Sequence, residues 1–283
     1  MATSNFFIDG DTNGTIDRSA SIDPVQIGGG GGSDTIFGGS SNDHLYGNAP
    51  SAVAGAADGN DRILGGAGHD YIQGNAGDDD LFGGTGNDRI HGGAGEDDLY
   101  GEDGNDYLQG NRGDDDLEGG AGNDTLRGGA DNDELDGGIG NDVLMGDAGN
   151  DEIQGGLGID HATGGSGRDT FEFDRNDALI TAETSFAFAD TIADFTKGED
   201  EIDLDFDVAQ VLTVTDQSFA DFAAAQAYAS QLLANDAGTR EVAAVAVGSD
   251  TWLFYNGVGG DVVDSAIRLA DVNAATISTL DFD

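Results

Sequence analysis

From Gly29 to Glu172 a large apolar residue returns at every ninth position, set between neighbours that are mostly polar. The rest of each unit is glycine, small polar residues and one aspartate, so the unit reads G-G-x-G-x-D-x-U-x with U apolar. Starting at Gly29-Gly-Gly-Gly-Ser-Asp-Thr-Ile-Phe37 and stepping by nine, the frame reaches Gly164-Gly-Ser-Gly-Arg-Asp-Thr-Phe-Glu172 without a break, giving 16 units in 144 residues. The eighth position is large and apolar in 14 of them, with Ala54 and Ala162 the exceptions. Across x-U-x, a period of two puts U on one face and its neighbours on the other, which predicts one three-residue strand per unit. The six glycine-rich positions before it predict a turn. A period sustained over half the chain marks a solenoid, whose units bury their apolar side only by stacking.

At Phe173 the pattern changes. Ile202, Leu204 and Phe206 alternate with polar residues as in a half-buried strand. Residues 218–235 carry Phe219, Phe222, Ala225, Ala229, Leu232 and Leu233 on one side at helical spacing, behind a capping-box variant at Ser218 and Asp221. Val242 to Val247 and Thr251 to Tyr255 predict a hairpin across Gly248-Ser-Asp250. The expected division is an N-terminal part, 1–28, the repeats, 29–172, and a C-terminal cap, 173–283. No stretch approaches a membrane-spanning length of apolar residues.

Charge changes this picture. The chain holds 56 acidic and 10 basic residues, a net charge of −46, and no cysteine. Disulfides and Cys-ligated zinc are excluded. Nucleic acid is a poor partner, because its phosphates would be repelled. Position six is aspartate in 15 of the 16 units: Asp34, Asp43, Asp61, Asp70, Asp79, Asp88, Asp97, Asp106, Asp115, Asp124, Asp133, Asp142, Asp151, Asp160 and Asp169. Two units per coil stack them into two edge columns, one running through Asp70, Asp88, Asp106, Asp124 and Asp142, the other through Asp61, Asp79, Asp97, Asp115, Asp133 and Asp151. Like charges at the ~5 Å spacing of stacked strands repel. A cation between successive turns relieves that repulsion. An all-oxygen donor set of carboxylates and turn carbonyls selects a hard cation, and irregular loops suit Ca2+ better than Mg2+. Eight loops per edge would leave 14 gaps at most. The unit at 47–55, which has Ala52 in place of aspartate, is expected to weaken the gaps beside it.

The nonapeptide resembles that of the RTX family of calcium-binding secreted proteins. The resemblance implies a right-handed parallel β-roll, all-β in character, with a β-rich C-terminal cap containing one helix. The stretch Asp190-Thr-Ile-Ala-Asp-Phe195-Thr-Lys-Gly198-Glu-Asp200-Glu-Ile-Asp203-Leu204 is similar to the segment that follows the repeats in serralysin-type members. It implies a type I secretion region at the chain's end, hence export by type I secretion machinery and an extracellular or cell-surface location. Its acids read as a solvated face, with a further calcium site as the alternative.

Near the start, Asp9, Asp11, Asn13 and Asp17, with Gly14 between, resemble the front of an EF-hand calcium loop. Ala20 stands where that loop needs its bidentate glutamate, and an Asx-rich turn is the equal alternative. Only 28 residues precede the repeats and neither HExxH nor GxSxG occurs, so no enzyme is expected. An unfamiliar catalytic site is the remaining alternative. The outward positions seven and nine separate by charge. One face takes Asp80, Asp98, Asp116, Glu118, Glu134, Asp136, Glu152 and Glu172, with Tyr46, Phe82 and Tyr100. The other takes Tyr71, Arg89, His91, Tyr107, Arg127, Val143, Met145 and His161, and no acid. Two unlike faces invite head-to-back self-association and filaments. The functional expectation is therefore a calcium-folded structural protein of a matrix, surface layer or adhesion system. The alternative is a soluble effector acting on a host membrane or protein.

Overall fold

The computed structural model describes residues 6–10, 13–48, 59–173, 190–204, 210–214, 219, 222–234, 241–255, 265–278 and 281–282. Alternate units feed two parallel sheets, and each coil contributes one strand to each. Leu99 pairs with Leu81 and Leu117 in one sheet, and Leu108 with Ile90 and Leu126 in the other. Along the roll, neighbours are 18 residues apart. The U side chains point inward from both sheets and meet as one core: Ile36, Leu45, Ile63, Ile72 and their successors through Leu144 are 0–1% exposed. The described N-terminal residues join the same stack. Phe6–Gly10 pairs with Gln26–Gly30, and Thr15–Asp17 with Thr35–Gly39. Ile16 therefore lies in register with Ile36, and Ile27 with Leu45.

The strands are longer than x-U-x. Tyr107–Arg112 and Asp98–Asp103 run six residues, through the first three positions of the next unit. The coils stack squarely enough that Asn111 pairs with Gly93 and Arg112 with Ala94, which leaves only positions four to six as the turn. Position four sits where one coil's carbonyl meets the next coil's backbone. A Cβ on Gly104, whose φ is +156°, would fall on the carbonyl oxygen of Gly86. Side chains do occur at position two, where Glu102 takes φ 71° and Asn111 φ 88°.

One register departs from the nonapeptide frame. Arg62 pairs with Thr35, and Tyr71 with His44, a step of 27 residues instead of 18. Among the described residues no rung lies between Tyr46 and Arg62. A Cβ on Gly47 would run into Oδ2 of Asp61, the relation Gly65 has with Asp70 inside a single unit. Gly47 and Asp61 thus stand to each other as positions one and six of one repeat, with nine more residues between them in the sequence than in any other repeat; 49–58 lie outside the described residues. An insert as long as the period leaves the frame unbroken and cannot be seen in it. The consequence is a change of parity: the expected stack of eight loops per edge does not hold, and Tyr46 belongs to the opposite face from Phe82. There Tyr46 lies 5.8 Å from the ring of Tyr71.

Beyond the repeats both sheets continue. Asp190–Ile192 adds to the longer sheet and Glu201–Leu204 to the shorter. The longer sheet then turns through Ser265–Leu269, Asp250–Tyr255, Glu241–Val247 and Gln210–Val214. The expected hairpin is present, with Gly248 at φ +70° in its turn. So is the helix, as Phe222–Ala234. Ala225 and Ala229, one helical turn apart, are fully buried with Val245, Trp252 and Phe254 in a second core. Ser218, Asp221 and Phe206 lie outside the described residues.

Candidate metal centre

Each repeat aspartate is held at the end of a turn and pointed into the edge of the roll. All fifteen, from Asp34 to Asp169, are buried, at 0–4% exposed. In each, Oδ1 accepts a backbone N–H from the coil below. Asp88 takes that of Asp70 at 2.7 Å, Asp106 that of Asp88 at 2.6 Å, and Asp115 that of Asp97 at 2.9 Å. Position five forms a second ladder running the other way. Its side-chain oxygen accepts from the coil above, as Asn105 does from Asn123 at 2.7 Å and Asn132 from Asn150 at 3.0 Å. Every turn is thereby tied to both neighbours.

The second carboxylate oxygen is a different matter. Oδ2 of Asp70, Asp88, Asp106, Asp124 and Asp142 in one column is buried with no hydrogen-bond partner, as is that of Asp97, Asp115, Asp133, Asp151 and Asp169 in the other. It points at the position-one glycine of its own unit. A Cβ on Gly101 would lie 2.8 Å from Asp106 Oδ2 and 2.5 Å from the carbonyl oxygen of Gly119. A periodic row of buried, half-satisfied carboxylates calls for an ion. Burial pushes Asp70, Asp97, Asp106, Asp115 and Asp142 up to about 7, Asp133 to about 8 and Asp169 to about 6. The N–H received at Oδ1 opposes that rise, and neighbouring carboxylates of the column add to it.

Among the described residues no three acidic or histidine side chains converge on one point. An ion between coils would therefore take carboxylates from its column and complete its shell with turn carbonyls. That all-oxygen set fits calcium. The columns are continuous across the nine-residue insert. Asp61 accepts the N–H of Asp34 at 2.7 Å and Asp70 that of Asp43 at 2.6 Å, so neither column of bonds is interrupted there.

The N-terminal loop is built differently. Asp9 falls in the strand Phe6–Gly10, and Asp11 lies outside the described residues. Asn13 and Asp17 are exposed, and Asp17 Oδ1 accepts the N–H and the hydroxyl of Ser19 at 3.0 and 2.7 Å. Strands flank the loop where an EF-hand has helices. Gly14 instead gives its N–H to Asp34 Oδ1 at 2.7 Å, forming the foot of one column.

The sequence profile of the RTX calcium-binding nonapeptide repeat matches residues 28–49, 56–90, 73–108, 82–117, 109–144 and 145–177, half of the chain. The chain belongs to the RTX calcium-binding repeat family. Calcium binding through its repeats follows from that membership. Among solved structures, the RTX chain is similar to two subunits of the Azotobacter vinelandii mannuronan C5-epimerase. The first, AlgE6R3, is 27% identical over 58% of this chain and 78% of its own, with a TM-score of 0.39. The second, AlgE6R2, is 26% identical over 55% and 87%, with a TM-score of 0.34. No curated protein matches.

The two sheet faces also follow from the RTX register. Asp80, Asp98, Asp116, Glu134 and Glu152 stand in one row along the shorter sheet. Arg62 pairs with Asp80 and lies 4.4 Å over Phe82, which stacks on Tyr100 at 4.8 Å. On the longer sheet, His44, Tyr71, His91 and Tyr107 form a chain of rings 5.6–5.8 Å apart. Arg127 there is ion-paired with Asp147.

Proposed function

We propose that this RTX protein is a non-enzymatic, calcium-folded structural protein that works outside the cell. It would be exported unfolded by a type I system through its C-terminal part and would fold on meeting calcium. The repeat aspartates at position six are the ligands in this reading, and the parts 1–28, 29–172 and 173–283 act as N-terminal cap, roll and C-terminal cap. The observation that carries it is the pair of columns of buried carboxylates, each with an oxygen left over. Metal-free, they store repulsion; loaded, they bind the coils together. A matrix, surface-layer or adhesion role fits a rigid rod with one acidic and one ring-lined face, which can associate head to back.

The pairing of Arg127 with Asp147 removes one positive charge from the ring-lined face, and this favours a second reading, a soluble effector that stays monomeric. Light scattering of the refolded chain across a calcium titration separates the two. Growth to large particles at millimolar calcium, reversed by EGTA, is the expected result. A particle that compacts but stays near 28.8 kDa would remove the assembly role and leave the effector.

A further inference from the structure

The metal columns do not stop where the nonapeptide stops. Asp160 donates its N–H to Asp190 Oδ1 at 2.8 Å, and Asp169 donates its own to Asp200 Oδ1 at 3.2 Å. These are the same bonds that link every pair of repeat aspartates. Asp190 and Asp200 are 4% and 6% exposed, close to the 0–4% of the repeat carboxylates, and Asp200 Oδ2 also accepts the N–H of Thr196 at 2.6 Å. Each stands two residues before a core residue, Ile192 and Ile202, which pair with Ala162 and Phe171 at the eighth position of the last two units. Asp169, facing Asp200, has its Oδ2 buried without a hydrogen-bond partner. Among the described residues the opposite end of the roll lacks this feature. There Gly14 and Val25 supply the N–H groups to Asp34 and Asp43, and neither brings a carboxylate.

Resting on the calcium reading of the columns, we propose that Asp190 and Asp200 are the last ligands of the two columns. The divalent cation each would share with Asp160 or Asp169 fastens the C-terminal sheet to the roll. The connection is direct. Thr191 pairs with Arg268, and Arg268 with Trp252, so the strand carrying Asp190 is two strands from the single tryptophan of the chain. Trp252 is 1% exposed in the second core. Its emission reports the cap, while far-UV circular dichroism is dominated by the roll.

The experiment uses the full chain with Asp190→Asn, Asp200→Asn and both, titrated with calcium alone. Bound calcium is counted by equilibrium dialysis, and both optical signals are followed. Asparagine keeps an oxygen for the N–H below and removes only the charge. The expected result is one ion fewer per substitution. In the double variant the circular dichroism midpoint stays in place, while the Trp252 midpoint moves to about tenfold higher calcium, the equivalent of ~1.4 kcal/mol. Asp194→Asn serves as control. Its carboxylate accepts the N–H groups of Gly164 and Gly165 and holds no ion in this proposal, so its stoichiometry should match the wild type. Unchanged stoichiometry and an unmoved Trp252 midpoint in the double variant would overturn the proposal, as would loss of the roll signal at all calcium levels. A wild-type chain that neither takes up calcium nor changes its spectrum would instead overturn the underlying reading of the columns.

Discussion

Each glycine of the nonapeptide answers to a different contact, so substitutions at neighbouring positions should differ in sign. Gly101→Ala pushes a methyl between Asp106 Oδ2 and the Gly119 carbonyl. It should destabilise the calcium-loaded roll by about 2–4 kcal/mol, since one neighbour is backbone and the other is a buried carboxylate held through its Oδ1 by the N–H of Asp88. The next residue, Glu102, holds a left-handed conformation at φ 71° that costs a non-glycine residue about 1–2 kcal/mol. Glu102→Gly should therefore raise stability by up to about 1 kcal/mol, after the entropy that glycine adds to the unfolded chain. Urea unfolding at saturating calcium measures both, and equal effects of the same sign would contradict this account of the turn. Asp115→Asn leaves an acceptor for the N–H of Asp97 and deletes one charge in mid-column. It should remove calcium and raise the folding midpoint, whereas Asp17→Asn, at an exposed Asx turn, should leave both alone.

At the scale of elements, the columns predict how the metal-free roll responds to pH. Burial raises the carboxylates from about 3.9 in the unfolded chain to about 6–8 in the folded one. The folded state thus binds protons more tightly. The stabilisation this gives is complete below about pH 4 and disappears as pH rises through 6 to 8. In EGTA, roll structure should grow when the pH is lowered from 8 to 5.5 and melt on return. With calcium present, protons compete for the same oxygens, so the calcium midpoint should rise over that interval. A metal-free spectrum indifferent to pH would contradict the buried columns. The insert gives a second prediction at this scale. Deleting 49–57 joins Gly47-Asn48 to Asp58-Gly-Asn-Asp-Arg-Ile-Leu64 in a regular repeat and spares every described rung. The calcium midpoint should stay within about twofold, because shortening a closed loop changes its entropy little. A shift much beyond that would place a rung inside the deleted stretch.

Much of this scale was legible in the chain. The period of nine gives the stacking, the U positions give the core, and the position-six aspartates give the columns. The insert escaped because its length equals the period. The acids of 190–204 read first as a solvated face, with calcium as the alternative, because Asp190 and Asp200 follow Asp160 and Asp169 by 30 and 31 residues, without glycines to mark the frame. Their signal was the spacing Asp-x-Ile, shared with positions six and eight of each repeat. The EF-hand likeness is the opposite case. Its acidic spacing is local, but the backbone around it is claimed by strands that pair far along the sequence.

For the whole molecule, a net charge of −46 and a core one residue deep per strand are the grounds for the proposal that folding depends on the ions. Small divalent gains at many gaps add up: at about ten times its dissociation constant, each site contributes about 1.4 kcal/mol. The same charge keeps metal-free chains apart and extended. Far-UV circular dichroism of the full chain at pH 7.5, recorded in EGTA and then through a calcium titration to 10 mM, tests this dependence most directly. Calcium-driven folding predicts a largely unfolded spectrum in EGTA and a steep, reversible rise of β-structure in calcium, unmatched by the same concentration of magnesium. A spectrum already rich in β-structure in EGTA at that pH, and unchanged by calcium, would contradict it.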